Sequence, residues 1–458
     1  MILGDPASAK PAPITGRLTI DAAFRQLAAR QPDALALADP PNRAAFTDGV
    51  ARRLTYAEAE RMVAALAARL LRMGLPPDGI VGVQLPNIVE SILTILGVLR
   101  AGMIVAPLPL LWRRVDAAAA LARVGAKALI TCTHVGDFDH CRLAREIAAE
   151  VFSIRYVCGF GTSPPDGVVG LDDLFDAQDA APERDAPSPA AAHVAAITFE
   201  VTTDGVIPVA RNHAELLAGG LGVLLESRLP ERTNILSTIL PASFAGLSVT
   251  LVPWLLSAGA LVLHQPFAAD VFAWQRREHR CGTLILPGPV AVDLAEPDAG
   301  AGAGNRLGRV IGLWRSPVQL TDAKAWRDQN AVFVDVSTFG EIALVPARRG
   351  SDGRPSRLTL GPVGAPRTHQ DGIVIAELAR TAAGTIAARG PMVPRRAFPP
   401  GVERAGLPYL RIGPDELIDT GYPCRFDAAS GAIAVTGEPA GIVSVGGYRG
   451  PRTAPAAA

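Results

Sequence analysis

The amino-acid sequence predicts an α/β protein with two βαβ-type subdomains of layered, mostly parallel sheets and a small distorted β-barrel. Short apolar strands alternate with amphipathic helical segments as far as about residue 340, which is the pattern of βαβ units. After Phe333–Val336 the chain changes to short β-rich pieces joined by Gly/Pro turns, as in a small barrel. A length of 458 residues also requires several units of about 100–200 residues each.

Helical spacing of apolar residues predicts six helices. The clearest one has Thr55 as its N-cap and Glu58 three residues later, which is a capping-box pattern. Gly74 follows the last apolar position and is a typical helix stop. The predicted helices are Thr19–Arg30, Leu54–Met73, Asn87–Arg100, Ala117–Val124, Gly246–Ser257 and Phe267–His279.

Short continuous apolar runs between these helices predict buried strands of a parallel sheet. The predicted strands are Ile80–Leu85, Met103–Leu108, Ala128–Cys132, Ile235–Leu240, Ala260–Leu263 and Thr283–Leu286. The β-rich pieces of the predicted barrel are Arg357–Leu360, Gly372–Leu378, Gly384–Arg389, Glu416–Asp419 and Ala432–Thr436.

These elements suggest a division of the chain into consecutive parts. Residues 1–17 form a flexible arm, and 18–192 form a first α/β subdomain that ends in a Pro/Gly/Asp-rich linker over 160–192. Residues 193–340 form a second α/β subdomain, 341–449 a β-rich subdomain ending at a hinge, and 450–458 a tail. Asp298–Asn305 is a Gly-rich loop without the flanking strand and helix of a dinucleotide fingerprint.

Composition narrows the classes of function and location. The formal net charge is zero, so nothing indicates a nucleic-acid partner. The five cysteines show no CxxC spacing, which argues against a disulfide framework and a structural zinc site. The N-terminus lacks signal-peptide character, and the longest apolar run, Ile88–Leu111, is interrupted by charges and prolines. We expect a cytoplasmic protein without a membrane span.

The stretch Ile197–His213 (ITFEVTTDGVIPVARNH) is predicted to form a strand, a polar turn and a helix start. Free N–H groups and threonine hydroxyls of such a loop can hold phosphate. The same stretch is compatible with an ordinary hairpin or βα turn, so its function can be interpreted only together with the other motifs of the chain.

In order along the chain, several motifs resemble those of the adenylate-forming superfamily of acyl-CoA synthetases, aryl-acid ligases, luciferases and peptide-synthetase adenylation domains. The resemblance covers about residues 15–449. It starts with LTYAEAERMVAALAARLLRMG and DGIVGVQLPNIVESILTILGVLRAGMIVAPLPL, and ITFEVTTDGVIPVARNH follows at the place of the phosphate loop. It continues with LPASFAGL, LILPGPVAVDLA, VIGLWRSPVQL, VDVSTFGE, GTIAARGPMV, ELIDTGYPCRFDAASGAIAVTGE and GIVSVGGYR.

The resemblance implies that a carboxylic acid is activated by ATP and Mg²⁺ and then transferred to a thiol, usually that of coenzyme A. It implies catalytic roles for Thr202, Thr203 and Glu341, with Glu341 as the magnesium ligand. A plain surface carboxylate at the end of a strand is the open alternative for Glu341. The implied nucleotide-binding residues are Thr202, Thr203, Gly205, Trp314, Ser337, Phe339, Asp419 and Tyr422. The implied acid-pocket residues are His213, Phe244, Gly246, Pro287 and Gly312, and the apolar character of this region favours a hydrophobic acid.

For five more of these residues the sequence leaves alternatives open. The adenine-stacking residue is Ser337 or Phe339, depending on the alignment. Leu313, Trp314 and Arg315 stand where small residues usually border adenine, and Trp314 either fills that space or stacks on the base. His213 either contributes to the acid pocket or caps a helix. Phe244 is in the same way either a pocket residue or a core aromatic.

Several positions depart from the family pattern. Val201 stands at the phosphate-loop glycine, and Val206–Ile207 replace the family's Pro-Lys, so that Arg211 could substitute only after remodelling of the loop. Tyr422 occupies the ribose-aspartate position, with Asp419 three residues away, and a phenol cannot accept hydrogen bonds as a carboxylate does. The hinge arginine and aspartate are replaced by Glu438 and Gly441.

The resemblance also implies a further C-terminal cap domain that supplies a catalytic lysine, and no such segment follows Arg449. Lys10, Lys127 and Lys324 are the only lysines, and none stands where that lysine is expected. One hypothesis is an AMP-forming acyl- or aryl-acid ligase that receives its cap, or a carrier domain, from a separate protein. The alternative is a degenerate, non-catalytic acyl- or nucleotide-binding or regulatory protein. A third is an acyl-binding subunit that activates a partner enzyme.

Overall fold

The computed structural model describes residues 18–176, 191–294, 307–328, 330–366 and 372–452. The predicted arm 1–17, part of the predicted linker (177–190), Asp298–Asn305 and the end of the tail (453–458) lie outside the described residues. Within the described ranges, no helix combines the length and the apolar character needed to cross a membrane.

The helices begin and end close to the predicted positions. The Thr55 hydroxyl accepts from the backbone N–H of Glu58, and the Glu58 carboxylate accepts from the N–H of Thr55, so the predicted capping box is present. The helices α5 and α10 were not predicted. The α-helices of the described residues are α1 (Ile20–Arg30), α2 (Tyr56–Arg72), α3 (Val89–Arg100), α4 (Arg114–Val124), α5 (His140–Glu150), α6 (His213–Ser227), α7 (Phe244–Gly246), α8 (Val252–Ser257), α9 (Ala269–Glu278) and α10 (Gly288–Leu294).

The strands follow one another along the chain as predicted for an α/β protein that ends in β structure. The first are β1 (Leu35–Ala38), β2 (Arg53–Thr55), β3 (Ile80–Val83), β4 (Ile104–Pro107), β5 (Ala128–Cys132), β6 (His134–Val135), β7 (Phe138–Asp139), β8 (Tyr156–Phe160), β9 (Val169–Gly170), β10 (Val194–Thr202) and β11 (Gly205–Asn212). The next are β12 (Ile235–Ser237), β13 (Leu261–Leu263), β14 (Thr283–Pro287), β15 (Arg309–Trp314), β16 (Val332–Phe339) and β17 (Ala343–Arg348). The last are β18 (Leu358–Thr359), β19 (Gly361–Ala365), β20 (Ile373–Arg380), β21 (Thr385–Arg389), β22 (Ile418–Asp427), β23 (Ala432–Val435), β24 (Ile442–Val445) and β25 (Tyr448–Pro451).

Two mostly parallel sheets dominate the fold. The order of the eight-stranded sheet is β17-β16-β15-β14-β12-β13-β1-β2, with antiparallel strands only at its edges. The order of the seven-stranded sheet is β11-β10-β4-β3-β5-β8-β9, with β11 as its antiparallel edge. The sheets interleave along the chain, because β1 and β2 join the sheet of β12–β17 while β10 and β11 join the sheet of β3–β9.

Helices cover both faces of both large sheets. One continuous core joins α1, α2, α3, α6 and α8 to the inner faces of the two sheets, and Phe24, Tyr56 and Trp254 form an aromatic cluster within it. A second core lies under α4 and α5, and a third under α9 and α10. This arrangement has five layers, and the predicted fold class is confirmed.

The predicted barrel is a curled sheet rather than a closed barrel. Its antiparallel order is β18-β23-β22-β21-β20-β19, and its two end strands do not pair with each other. A separate two-stranded hairpin, β24–β25, follows it. That hairpin, formed by the predicted hinge segment, leads directly to the site described below.

The predicted strand–turn–helix at Ile197–His213 is a β-hairpin followed by a helix. β10 and β11 pair in antiparallel register from Thr202↔Gly205 to Val194↔Asn212, so a second strand lies between the predicted turn and the predicted helix start. The helix begins at His213, where the Asn212 side chain accepts from the N–H of Glu215 in a second capping box.

Glu215 in this capping box makes the stability depend on pH. Burial raises the pKa of its carboxyl from 4.5 to about 7. Between these values the folded chain holds a proton that the unfolded chain has lost, so stability falls as the pH rises from 4.5 to 7. We expect the stability of wild type relative to Glu215→Gln to decline by roughly 1–3 kcal/mol over this window.

Urea unfolding of both proteins at several pH values measures this difference. Comparing the two proteins removes contributions from other groups, such as His213, whose buried imidazole has its pKa lowered to about 4. A stability difference that stays constant from pH 4.5 to 7 would show that Glu215 does not hold a proton in the folded protein.

Candidate functional site

A cavity of about 500 Å³ lies at the carboxyl ends of the central strands of the eight-stranded sheet. β12, β14 and β15 are parallel and end beside it, which is the usual location of a ligand site in an α/β sheet. The loop after β4 and the β24–β25 hairpin form its other walls. The lining residues are Pro109, Leu110, Thr238, Ile239, Leu240, Ala242, Pro287, Pro289, Val290, Leu313, Trp314, Arg315, Ser316, Gln319, Ser444, Gly446, Gly447 and Tyr448.

A smaller cavity of about 60 Å³ adjoins the large one. The two share Pro109, Ala242, Arg315, Gly447 and Tyr448. The walls that only the smaller cavity has are Pro107, Trp112, Phe199, Val201, Ser243, Glu341 and Arg449. The large cavity is therefore mainly apolar, and charged side chains gather where it meets the small one.

The predicted phosphate-loop residues lie in the turn between β10 and β11. The Thr202 hydroxyl donates to the carbonyl of Gly205 at 2.7 Å, and Thr203 is exposed. A Cβ on Gly441 would approach the Thr203 methyl to 2.5 Å, so the turn lies against the start of the β24–β25 hairpin. Gly205 has a φ of +110°, which glycine adopts without strain. Neither threonine is among the residues that line the two cavities.

Arg211 does not take the place of the missing loop lysine. It is 1% exposed and lies at the far end of β11, with its guanidinium 3.7 Å from the centroid of the Phe244 ring. It donates to the carbonyls of Ile342 at 2.8 Å, of Met392 at 3.4 Å and of Glu341. Burial lowers its pKa to about 10. The cation therefore holds the β16–β17 turn and Phe244 together inside the protein.

Glu341 lies in the turn after β16 and contributes to the small cavity. Its Oε2 accepts from the backbone N–H of Phe244 at 2.7 Å, which commits one carboxylate oxygen to positioning α7. Its own N–H donates to the Glu200 carboxylate. No cluster of three or more His, Cys, Asp or Glu able to hold a metal occurs among the described residues. Glu341 would thus be a single protein ligand for Mg²⁺, and its role stays a prediction.

The two candidates for adenine stacking are both core residues. Ser337 is 1% exposed within β16, and Phe339 is fully buried against the ring of Tyr422, with 5.5 Å between the centroids. Asp419 is exposed, and its Oδ1 accepts from the N–H of Gly421 at 2.8 Å. None of these four side chains lines either cavity. Three of them are buried in the core and Asp419 lies at the surface, and their nucleotide-binding roles stay predictions.

Trp314 lines the large cavity and fills space beside the start of α10. A Cβ on Gly288 would approach the indole ring to 2.2 Å, so only glycine allows this contact. The indole N–H donates to Asp335 Oδ1 at 2.8 Å, and Arg349 pairs with the same carboxylate at 2.9 Å. These buried partners fix the indole and favour the space-filling alternative over stacking on a base.

Pro287 lies in the cavity wall as predicted, but four of the predicted acid-pocket residues do not, and each has a local reason. His213 accepts from the N–H of Ile20 through Nδ1 at 3.3 Å and belongs to the helix start. Phe244 is fully buried under Arg211. A Cβ on Gly246 would come within 2.2 Å of the Leu240 carbonyl oxygen, and one on Gly312 within 3.1 Å of the Phe333 ring, so both glycines serve close packing.

The sequence analysis missed much of the site. The loop after β4 and the β24–β25 hairpin reach the cavity from distant parts of the chain, and Arg315 was noted only as an unusual residue. A partly buried ion pair between Arg449 and Glu200 connects the hairpin to β10. The retained Gly-Gly-Tyr-Arg of the hinge motif was the one available signal for this contact.

Comparison with protein-family models supports the motif order. The model described as "AMP-binding enzyme" matches residues 24–395. The chain is 27% identical over 297 residues to a 2-hydroxy-7-methoxy-5-methyl-1-naphthoate–CoA ligase of Streptomyces carzinostaticus, covering 61% of this chain and 50% of that protein. It is 32% identical over 151 residues to a salicyl-AMP ligase/salicyl-S-ArCP synthetase of Mycobacterium tuberculosis, covering 32% and 25%. The matched region thus spans at most about half the length of these relatives.

Solved structures show the same fold. MbtA of Mycobacterium smegmatis in its apo form superposes with a TM-score of 0.68 at 20% identity, covering 96% of this chain and 81% of that one. ATP-bound MatB of Rhodopseudomonas palustris gives a TM-score of 0.67 at 18% identity, covering 94% and 81%. At this identity the likeness establishes the architecture and not the ligand.

Proposed function

Because this chain belongs to the AMP-binding enzyme family, we propose that it binds a hydrophobic carboxylic acid in the 500 Å³ cavity and, alone, activates it with ATP weakly or not at all. The observation that carries the proposal is a ligand-sized, mainly apolar cavity built partly from the segments that resemble the family's acid pocket. Pro287 and Val290 come from one such segment, and Leu313 comes from another.

Weak adenylation follows from how the charged groups are used. Arg211 is bound to main-chain carbonyls, and one oxygen of Glu341 is bound to the N–H of Phe244. Trp314 occupies the segment that borders adenine in the family. Preorganised donors at the transferring phosphate supply about 3–4 kcal/mol each, so the loss of several makes adenylation slow.

A second candidate is a ligase in which a separate protein supplies the cation that the phosphate loop lacks at Val206 and Ile207. Thr203 is exposed at the turn, and Glu341 lines the small cavity. Both groups would therefore be accessible to the phosphates of ATP when a partner protein is bound. If this second candidate is right, adding a carrier or cap protein would restore acid-dependent pyrophosphate exchange. If the chain only binds the acid, no added protein would produce exchange.

Calorimetry and pyrophosphate exchange test the proposed function together. We expect 2-naphthoate to bind. We expect ATP–Mg²⁺ to give no binding heat at concentrations up to about 1 mM, so that any dissociation constant for the nucleotide is weaker than about 1 mM. Exchange should be at least about 10³-fold slower than for an active ligase, which corresponds to the loss of one or more phosphate donors. Acid-dependent exchange at ligase rates by this chain alone would overturn the proposal.

A cavity-filling variant locates the binding. Leu240 lies in the cavity wall, so Leu240→Trp should reduce the affinity for 2-naphthoate by about tenfold or more by occupying ligand space. Leu111→Trp is the matched control, because Leu111 is 56% exposed and does not line the cavity. Equal loss in both variants, or in neither, would place the acid elsewhere.

A further inference from the structure

Arg315 holds a positive charge at the junction of the two cavities. It follows the last residue of β15, and its side chain lines both the large and the small cavity. Its Nη2 donates to the Ser243 hydroxyl at 3.2 Å. Gly447 lies against its aliphatic stem, since a Cβ there would come within 3.0 Å of Arg315 Cδ. The guanidinium is therefore held in place by the β24–β25 hairpin on one side and by Ser243 on the other.

The charge of Arg315 is not neutralised by an ion pair with a described residue. Glu341 and the phenol of Tyr448 are the groups that face it electrostatically, and Glu341 lies beyond ion-pair distance with one oxygen already bound to the N–H of Phe244. Three other enclosed arginines differ, because Arg211 donates to main-chain carbonyls and the other two pair with carboxylates. Arg43 pairs with Glu90, and Arg349 pairs with Asp335. Because an enclosed charge is costly without a partner, a guanidinium in this position favours the binding of an anionic ligand.

The walls around Arg315 define the rest of the ligand. Away from the guanidinium the large cavity is lined by Ile239, Leu240, Pro287, Val290 and Leu313. Thr238 also lines it, and its buried hydroxyl has no hydrogen-bond partner among the described residues. The site thus has one charged end, an apolar body and one free hydroxyl.

We propose that Arg315 anchors the carboxylate of the bound acid by a charge-assisted, bidentate contact at the mouth of the small cavity, with the apolar part of the acid in the large one. A planar guanidinium matches a carboxylate in two parallel hydrogen bonds, which a lysine cannot reproduce. This assignment rests on the proposed function and adds the residue that selects an acid over a neutral ligand of the same shape.

Titration of a matched pair of ligands tests the assignment. 2-Naphthoate and 2-naphthamide share the ring system and differ in charge. We expect wild type to bind the acid at least about tenfold more tightly, which is the scale of a hydrogen bond to a charged group. Arg315→Met should bind both ligands within about twofold of each other, and Arg315→Lys should recover part of the preference.

The two ligands also separate the possible failures. Unchanged affinity of Arg315→Met for the amide shows an intact cavity, and if that variant does not fold, Arg315→Gln carries the same comparison. Arg142→Met on the exposed face of α5 is the charge control and should behave as wild type. An acid preference retained without Arg315, or equal binding of both ligands by wild type, overturns the anchor and leaves the proposed function intact. No binding of either ligand to wild type overturns the proposed function and the anchor with it.

Discussion

Replacement of Arg43 by methionine is expected to lower the free energy of unfolding by about 3–5 kcal/mol, the cost of leaving buried charges without their partner. Arg43 donates to Asp39 at 2.7 Å and to Glu90 at 2.7 and 2.9 Å, and the side chains of these three residues are at most 2% exposed. Methionine preserves most of the aliphatic volume, so the change removes mainly the charge. Two carboxylates would then remain in the interior, and the nearest remaining cation would be the partly exposed Arg52, 3.8 Å from Glu90.

The position of this cluster explains why the loss should affect the whole domain. Asp39 follows β1 of the eight-stranded sheet, and its other oxygen accepts from the N–H of Val89 at the start of α3. Glu90 lies in the first turn of that helix. Arg43 therefore connects the eight-stranded sheet to the central helical layer.

Urea unfolding measures the effect, and the chain offers a matched control. Arg142 and Glu146 on α5 have the same i, i+4 spacing as Asp39 and Arg43, but both are exposed. Arg142→Met should change stability by at most about 0.5 kcal/mol. If Arg43→Met cost no more than Arg142→Met, the buried cluster would not be a stabilising element of the folded chain.

Replacement of Trp314 by alanine is expected to cost about 3–5 kcal/mol of stability as well, because it leaves a large void in a buried site. Trp314 is 3% exposed and packs against Gly288, where no side chain can fill the space. Arg349 still pairs with Asp335 after the change, so the loss is chiefly one of packing.

The same substitution should change ligand selection. The void lies in the wall of the large cavity, so Trp314→Ala should favour larger aromatic acids over 2-naphthoate, measured by competition calorimetry. Trp274→Ala is the control, because Trp274 is 43% exposed on α9 and its removal should cost at most about 1 kcal/mol. An unchanged size preference together with a large stability loss would show that Trp314 supports the fold without shaping the pocket.

The sequence was most informative where the physical signal is local. Thr55 with Glu58 predicted a helix start, because the capping box uses neighbouring residues. The continuous apolar run at Ala128–Cys132 predicted a buried strand with the same bounds as β5. The order of the family motifs predicted the layered architecture, which the structure confirms.

Strand pairing and contacts between residues distant in sequence could not be predicted from these local signals. The polar turn at Thr202–Gly205 is compatible with a hairpin or a βα turn, and only the pairing of Val209 and Pro208 with the preceding strand decides between them. Likewise, nothing near His213 in sequence indicates that its ring contacts Ile20, 193 positions away. Helical periodicity does predict that a residue is buried, but not whether it faces a cavity or the core, so both alternatives stayed open for Phe244.

The charge at Arg315 shows the same limit in the functional site. Its meaning depends on which groups surround it, and these come from Ser243, Glu341 and the hairpin at Gly447. Sequence comparison could identify Arg315 as unusual for the family pattern. Only the fold shows that its guanidinium lies between two cavities without an ion-pair partner among the described residues.

A crystal structure of the protein grown with 2-naphthoate and ATP–Mg²⁺ tests the central claim most directly. The account predicts the acid in the 500 Å³ cavity with its carboxylate on Arg315, and no purine in the region of Ser337–Glu341. A purine bound beside Ser337–Glu341, with its ribose held by Asp419, would contradict it.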